Sequence, residues 1–174
     1  HIAKLFNYPI FNADLEVAKI YKTNKQCFKN LKKSLPKYFL SFPIKKEEII
    51  KTIVENQKNL KKITDIIHPE IKKKMNTFLK SNKKRKVVIL DIPLLLENKL
   101  NQNGDIIIFI QSKKTEVTKR LKKRNNFSLD LLNKFKKIQL SHSYKKKRSH
   151  FIIKNNFTNK SAKINIQKTL KKIL

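Results

Sequence analysis

An acidic side chain at the end of an apolar run is the first candidate for chemistry. Asp91 follows the apolar residues 87–90, and Pro93 comes two positions later. Such a run is typical of a strand buried on both faces of a parallel sheet, and ligands bind at the carboxyl ends of these strands. A carboxylate there suits a magnesium or phosphate site, but it would equally suit a cap on the following turn. Both interpretations stay open, and Glu97 by itself indicates a surface residue.

A second polar group follows a shorter apolar run. Residues 9–11 predict a short strand that delivers Asn12 and Asp14 into a helix over residues 15–21. An Asp in front of a helix commonly caps it by accepting a hydrogen bond from a free backbone N–H. The pattern alone therefore allows Asp14 either a capping role or a place in a ligand site.

Two arginines occur at helical spacing. Arg120 and Arg124 are four residues apart in a predicted helix over residues 115–124, so their guanidinium groups would share one helix face. Such a pair can bind phosphate oxygens with paired N–H donors. From spacing alone, two arginines that simply face solvent are the preferred interpretation.

A histidine is followed directly by a proline. The pair His68-Pro69 interrupts a pattern that is otherwise helical from residue 45 to residue 81. Proline restricts the preceding residue toward extended backbone, so the pair predicts a helix boundary. A structural joint is the preferred interpretation of His68, ahead of acid-base chemistry.

Strands alternate with helices over the rest of the chain. Residues 105–110 and 151–153 predict two more strands, and helical patterns cover residues 129–144 and the carboxyl terminus, where Ile166 and Leu170 share a face. This alternation predicts an α/β fold with a mainly parallel sheet.

The charge of the chain raises a different hypothesis. The 174 residues hold 43 Lys and Arg against 12 Asp and Glu, a formal net charge of +31, which suits binding to nucleic acid. The lysines are spread over nearly every segment, however, together with abundant Asn and Ile, as AT-rich codon usage would produce in any protein. The distribution therefore argues against a nucleic-acid partner, and runs such as residues 145–148 are expected to be mostly solvated.

Cysteine, histidine and hydropathy limit the class of protein further. A single Cys27 cannot form an internal disulfide, and the four histidines show no zinc-ligand spacing. No apolar run is long enough to span a membrane, and the first residues lack a signal pattern. The sequence predicts a cytoplasmic enzyme or binding module without a membrane partner, built on one core or on a core with a small appended subdomain.

Several segments, in register along essentially the whole chain, resemble motifs of one family. The segment from Asp91 to Glu97 is similar to the P-L-L-F/Y-E signature of dephospho-CoA kinases, with Leu96 in place of the aromatic residue. The segment starting at Asn12 resembles the family's D-A-D, and the segment starting at His68 resembles H-P-x-V/I. Arg120-Leu121-Lys122-Lys123-Arg124 is similar to the family's R-L-x-x-R. Gln139 and Lys145 resemble a glutamine that is followed six residues later by Lys or Arg. Phe151-Ile152-Ile153, together with Asn155, resembles the final strand, V-I-x-N.

The resemblance implies a fold and a reaction. The fold would be that of P-loop kinases, a parallel sheet flanked by helices, with a helical substrate-binding subdomain over residues 22–81 and a lid over residues 113–148 within a single kinase domain of residues 1–174. The reaction would transfer the γ-phosphoryl group of ATP, with Mg²⁺, to the ribose 3′-hydroxyl of dephospho-CoA. ATP and dephospho-CoA would be the partners.

The resemblance also implies roles for individual residues. Asp14 would accept or orient the proton of the ribose hydroxyl, and Arg120 would stabilise the transferred phosphate. The residues implied to contact the nucleotide and its metal are Arg120, Arg124, Lys145 and Asp91, of which Asp91 would be the metal ligand. The residues implied to contact dephospho-CoA are Asp14, His68 and Glu97. Asn12 departs from the first Asp of D-A-D, which puts any role that needs a carboxylate there in doubt.

One family element has no counterpart among these residues. P-loop kinases hold phosphates with a G-x-x-x-x-G-K-[S/T] loop, whereas Gly104 is the only glycine of the 174 residues. We expect the first strand and this loop to be absent from the chain, which would leave the 174 residues inactive on their own. The alternatives that stay open are genuine loss of activity, another nucleoside or nucleotide kinase of the same superfamily, and a basic nucleic-acid-binding protein.

Overall fold

The computed structural model describes residues 6–124 and 127–174 of the chain. The chain divides into two compact units, an N-terminal unit, Tyr8–Pro93, and a C-terminal unit built mainly on Leu94–Leu174. Within the described ranges, each unit contains one parallel sheet of two strands. The α/β class with parallel strands flanked by helices, predicted from the alternation of patterns, is confirmed.

The N-terminal unit packs helices beside a short parallel pair of strands. Ile10 lies opposite Ile89 and Asn12 lies opposite Asp91, so both strands end in a polar residue at the same sheet edge. Phe39 is fully buried in the core of this unit. The elements are β1 (Ile10–Asn12), α1 (Ala13–Thr23), α2 (Lys25–Ser34), α3 (Lys46–Glu55), α4 (Lys58–Ser81) and β2 (Ile89–Asp91).

The long helix α4 runs through Pro69 without a break, so the predicted helix boundary at His68-Pro69 is wrong. Pro69 is exposed, about 200° around the helix from buried Ile67, and water can therefore satisfy the Asp65 carbonyl that would have accepted the missing N–H. Packing of the opposite face holds the helix together. That face buries Ile63, Ile67, Ile71 and Met75.

Strand β2 is less enclosed than its apolar sequence suggested. It begins at Ile89, two residues later than predicted, and Ile89 and Leu90 are only half-buried. The prediction of a strand buried on both faces is therefore wrong for this structure. The physical reason is that, among the described residues, β2 pairs only with β1, and so narrow a sheet covers little surface.

The C-terminal unit has the same construction. Its strands β3 (Ile108–Gln111) and β4 (Phe151–Lys154) are parallel, with Ile110 opposite Ile153. The helices are α5 (Lys114–Lys122), α6 (Leu129–Ile138), α7 (His142–Lys147) and α8 (Asn159–Ile173). Ile166 and Leu170 of α8 are buried, as their shared face predicted, and α8 packs against β4.

The single helix predicted over residues 129–144 is two helices. α6 ends at Ile138, and Ser141 starts α7 by accepting a hydrogen bond from the Tyr144 N–H at 3.1 Å. Between them, the Leu140 N–H donates to Glu97 Oε1 at 3.0 Å. The break follows because a side chain from outside the helix takes up a backbone donor at this point.

No helix within residues 6–124 and 127–174 combines the length and the apolar composition that crossing a membrane requires.

Candidate functional site

Asn12 connects the two polar strand ends of the N-terminal unit. Its Nδ2 donates to Asp91 Oδ2 at 2.9 Å, while its Oδ1 accepts from the Leu15 N–H at 2.9 Å and so caps α1. One amide therefore orients the Asp91 carboxylate and fixes the start of the helix that carries Asp14. The change from Asp to Asn in the D-A-D segment allows this arrangement, because a carboxylate would have no N–H to give to Asp91.

Asp14 lies in the first turn of α1 with an exposed side chain. Because Asn12 is the N-cap, the interpretation of Asp14 as the capping residue is wrong. The Asp14 side chain makes no hydrogen bond or ion pair within residues 6–124 and 127–174. Its carboxylate is thus available to a ligand at the edge where β1 and β2 end, beside the favourable N-terminal end of a helix dipole.

A groove of about 690 Å³ runs between α1 and α4 within the N-terminal unit. Asn12, Glu16, Lys74 and Phe78 are among its lining residues, so it reaches from the polar sheet edge along the helices. A hydrogen bond from Lys19, at 2.6 Å, holds the pKa of Glu16 below its usual range, and Lys74 at 3.5 Å adds to the effect. The groove therefore combines an apolar wall with fixed charges of both signs.

His68 lies in the middle of α4 and is half-buried. Burial lowers the pKa of His68, and the negative charge of Asp65 opposes only part of this effect. The imidazole is therefore neutral at pH 7, when one ring nitrogen donates and the other accepts hydrogen bonds. A neutral His68 is suited to a hydrogen bond with a substrate and not to an ion pair with a phosphate group.

Glu97 and Lys145 form the main polar contact of the C-terminal unit. Lys145 Nζ lies 2.6 Å from Glu97 Oε1, with only 19% of the lysine side chain and 8% of the glutamate side chain exposed. The interpretation of Glu97 as a surface residue, made from its position alone, is therefore wrong. The pair joins two motifs that the sequence could only identify separately, the P-L-L-F/Y-E segment and the glutamine followed by Lys.

Two opposing effects act on the pKa of Glu97. Burial alone would raise it, but the hydrogen bond from Lys145 and the backbone N–H groups, including that of Leu140, outweigh burial and lower it overall. The carboxylate is thus ionised at neutral pH, and the pair is a charged one. Enclosed charged pairs of this kind are costly to disrupt, because removing one partner leaves the other charge buried.

Arg120 packs against a loop that follows β4. Its guanidinium Cζ lies 4.2 Å from the centre of the Phe157 ring, and Phe157 has a positive φ of 65°, which is uncommon for a bulky residue. The Asn155 side chain fixes this loop by accepting the Phe157 N–H at 2.9 Å. The sequence-based reasoning missed Phe157, although an Asn two residues earlier is a signal for such a turn.

Arg124 is placed differently from the prediction. α5 ends at Lys122, two residues short of the predicted end, and Arg124 lies in the turn beyond it, where its N–H donates to the Leu121 carbonyl at 3.1 Å. Helical spacing therefore does not bring Arg120 and Arg124 onto one face, and the predicted arginine pair on a single helix face is wrong.

The donors of the sheet edge fit Mg²⁺ better than a metal that needs a complete protein cage. Within residues 6–124 and 127–174, no three His, Cys, Asp or Glu side chains cluster as a metal site. Asn12 takes up Asp91 Oδ2, which leaves the other oxygen of this exposed carboxylate for a ligand. Mg²⁺ is commonly held by one or two carboxylates together with substrate phosphates and water, and a single carboxylate such as that of Asp91 fits this requirement.

Comparison with known proteins gives a consistent result. The model of the protein family described as dephospho-CoA kinase matches residues 2–161 of this chain. A dephospho-CoA kinase from Wolbachia pipientis is 31% identical over 150 residues, which is 85% of this chain and 76% of that protein. One from Prochlorococcus marinus is 27% identical over 170 residues, covering 94% and 79% of the two chains.

Solved structures agree with the sequences. A dephospho-CoA kinase from Campylobacter jejuni superposes with a TM-score of 0.60 at 27% identity, covering 99% of this chain and 88% of that one. A protein from Thermus thermophilus superposes with a TM-score of 0.76 at 18% identity and the same coverage, which supports the fold.

Proposed function

This chain belongs to the dephospho-CoA kinase family, and we propose on that basis that it phosphorylates the ribose 3′-hydroxyl of dephospho-CoA with ATP as the donor. The product is CoA, and the enzyme class is a phosphotransferase with an alcohol acceptor. The observation that carries the proposal beyond family membership is the bond from Asn12 to Asp91. It joins two family segments at one sheet edge, where the helix that carries Asp14 in its first turn begins.

The reaction forms a bond between the ribose 3′-oxygen and the γ-phosphorus of ATP. The bond from that phosphorus to the bridging oxygen of ADP breaks, and ADP leaves with the bond's electron pair. The proton of the 3′-hydroxyl goes to Asp14, whose carboxylate is exposed in the first turn of α1. Phosphoryl transfer depends mainly on positioning and electrostatics, so an oriented carboxylate near the hydroxyl is the main acid-base requirement.

Asp91 would hold Mg²⁺, which would supply positive charge against the negative charge of the transferred phosphoryl group. The protein's contribution is to orient the Asp91 carboxylate through the amide of Asn12. Because the amide of Asn12 is neutral, the Asp91 carboxylate keeps its full charge for a cation. An Asp at position 12 would have repelled the Asp91 carboxylate. The departure from D-A-D is therefore compatible with a single-carboxylate metal site.

Arginines of the C-terminal unit supply the remaining positive charge. We assign Arg120 to the transferred phosphate and Arg124 to the ATP phosphates, with residues 113–148 as the lid that carries both. Arg120 is exposed at the end of α5 and held against the Phe157 ring, so it is extended from the helix rather than folded into a core. Guanidinium groups suit this task because their N–H donors match phosphate oxygens.

The acceptor is assigned to the helical part of the N-terminal unit, residues 22–81. The α1–α4 groove begins at Asn12 and carries lysines and an apolar wall, which suits a substrate with both phosphate and apolar portions. His68, neutral at pH 7, is assigned a hydrogen bond to the substrate rather than an electrostatic role.

A comparison of acceptors tests the proposal. The full-length protein is supplied with ATP, Mg²⁺ and either dephospho-CoA or a panel of nucleosides and nucleotides, and ADP release is followed by a coupled assay. We expect turnover with dephospho-CoA and at least tenfold lower kcat/KM with every other acceptor. Preference for a nucleoside or a nucleotide would overturn the assignment of the acceptor.

The role of Asp14 has its own test. Asp14→Asn keeps the size of the side chain and removes the proton acceptor, and a positioned base contributes about 10²- to 10⁴-fold to a rate. We expect kcat to fall by about 10²-fold or more with little change in KM for dephospho-CoA. Glu47→Gln, which neutralises an exposed carboxylate on α3, is the control. Equal kcat values for Asp14→Asn and wild type would remove Asp14 from the mechanism.

A further inference from the structure

The enclosed pair of Glu97 and Lys145 lies in a region with little other burial. Helices α5 and α7 bury none of their residues, yet Glu97 is only 8% exposed and Lys145 only 19%. Segments with few buried apolar contacts have low local stability, so the order of such a region depends on specific polar contacts. The carboxylate of Glu97 supplies two of them at once, to Lys145 and to the Leu140 N–H.

The two contacts constrain the segment between α6 and α7 in different ways. The bond to Leu140, at 3.0 Å, fixes the backbone where α6 has ended and before Ser141 caps α7. The bond to Lys145, at 2.6 Å, fixes the side chain one helical turn into α7. Together they hold the backbone before α7 and the side chain of Lys145, and hence restrict where the Lys145 ammonium lies.

Lys145 retains binding capacity while it is paired. An ammonium group has three N–H donors, and the pair with Glu97 uses one of them. The side chain is partly exposed, so a remaining donor can reach a ligand without breaking the pair. The buried carboxylate of Glu97 thus holds the Lys145 ammonium in place and leaves it accessible to an anion.

From this arrangement we infer that Glu97 is a positioning residue, which acts on ATP through Lys145 and does not itself contact a substrate. The inference rests on the proposed function, because it takes ATP to be the phosphate donor. It replaces the contact between Glu97 and dephospho-CoA that the family resemblance implied with an indirect role on the nucleotide side.

The experiment is a double-mutant cycle read by ATP binding. Wild type, Glu97→Gln, Lys145→Met and the double variant are titrated with ATP and Mg²⁺ by calorimetry in the full-length protein, without any acceptor. A charge-assisted hydrogen bond to a phosphate corresponds to about a tenfold change in Kd. We expect each single variant to bind ATP about tenfold more weakly, and the double variant to bind no more weakly than Lys145→Met.

Controls separate positioning from folding. Lys168→Met removes an exposed lysine from α8 and should leave the Kd for ATP unchanged. Lys145→Arg keeps the charge and the pair, and it should bind ATP more tightly than Lys145→Met. If Glu97→Gln proves too unstable to titrate, Glu97→Asp carries the test, because it keeps the charge but shortens the reach to Lys145. A Kd for ATP equal to that of wild type in this variant would overturn the inference.

Two further results would contradict the inference. If Glu97→Gln binds ATP as tightly as wild type, Glu97 has no influence on the nucleotide. If the double variant loses about 100-fold, the product of two tenfold effects, the two residues act independently. Because the titration contains no acceptor, failure of dephospho-CoA as the substrate would appear only in the turnover assay and is distinguishable from both results.

Discussion

Replacing Pro69 by alanine should stabilise the protein. Pro69 lies inside the 24-residue helix α4, on its exposed face. A proline in a helix interior costs about 3 kcal/mol relative to alanine, through a missing hydrogen bond and a clash with the preceding turn. Here water can reach the Asp65 carbonyl, which removes part of this cost, and proline also restricts the unfolded chain by about 0.4–1 kcal/mol. The net gain for Pro69→Ala is therefore about 1–2 kcal/mol.

Urea denaturation followed by circular dichroism measures the change, and the coupled assay on the same samples tests function. We expect the midpoint of unfolding to rise and the helix signal to increase slightly. If Pro69 has a role in directing His68, the more stable variant will also have a higher KM for dephospho-CoA. A loss of stability in Pro69→Ala would refute the reasoning, because it would mean that the packing of α4 requires the proline.

Three other predictions concern the polar contacts. Glu97→Gln should lower the free energy of unfolding by about 2 kcal/mol at pH 7, the size of a hydrogen bond to a charged group. Because folding lowers the pKa of Glu97, this contribution is present above its unfolded pKa of about 4.3 and is lost as the pH falls through the lower folded pKa. Urea titrations at pH 7, 5 and 3.5 should show the difference between the variants shrinking, and a constant difference would contradict the assigned cause. Asn12→Ala and Asn24→Ala each remove an N-cap worth about 1 kcal/mol. Only Asn12→Ala should also reduce kcat, since Asn24 has no contact with Asp91 and lines the acceptor groove, where its loss should act on KM for dephospho-CoA. Equal losses of kcat would argue against the role of Asn12. Arg120→Ala should lower kcat more than it raises KM for dephospho-CoA, and an unchanged kcat in steady-state assays would remove Arg120 from the mechanism.

The sequence predicted the parts of the fold that depend on local pattern. The strands ending at Asn12 and Asp91, and the buried face of α8, follow from apolar runs and helical spacing. Pro69 was misinterpreted because local preference argues for a break, whereas the buried stripe on the opposite face of α4 keeps the helix continuous. The break after Ile138 could not be predicted, because it depends on a carboxylate more than 40 residues earlier in the chain.

In the candidate site, too, the local sequence pattern identified single residues but not the contacts between distant segments. The motifs identified Asp14, Asp91 and Glu97 individually, but no pattern of spacing could show that Asn12 bonds Asp91 or that Glu97 pairs with Lys145. These contacts join segments distant in the sequence, and only the folded chain brings them together. Burial likewise changed the interpretation of Glu97, since an isolated acidic residue in a sequence carries no information on its exposure.

The position of the transferred phosphate shows directly whether the ribose 3′-hydroxyl of dephospho-CoA is the acceptor. The full-length protein is incubated with dephospho-CoA, Mg²⁺ and ATP that carries an isotopic label on its γ-phosphate, and the product is analysed by mass spectrometry and phosphorus NMR. We expect one labelled phosphate on the ribose 3′-oxygen and stoichiometric release of unlabelled ADP. Label at any other position, or ATP hydrolysis without a labelled CoA product, would contradict this expectation.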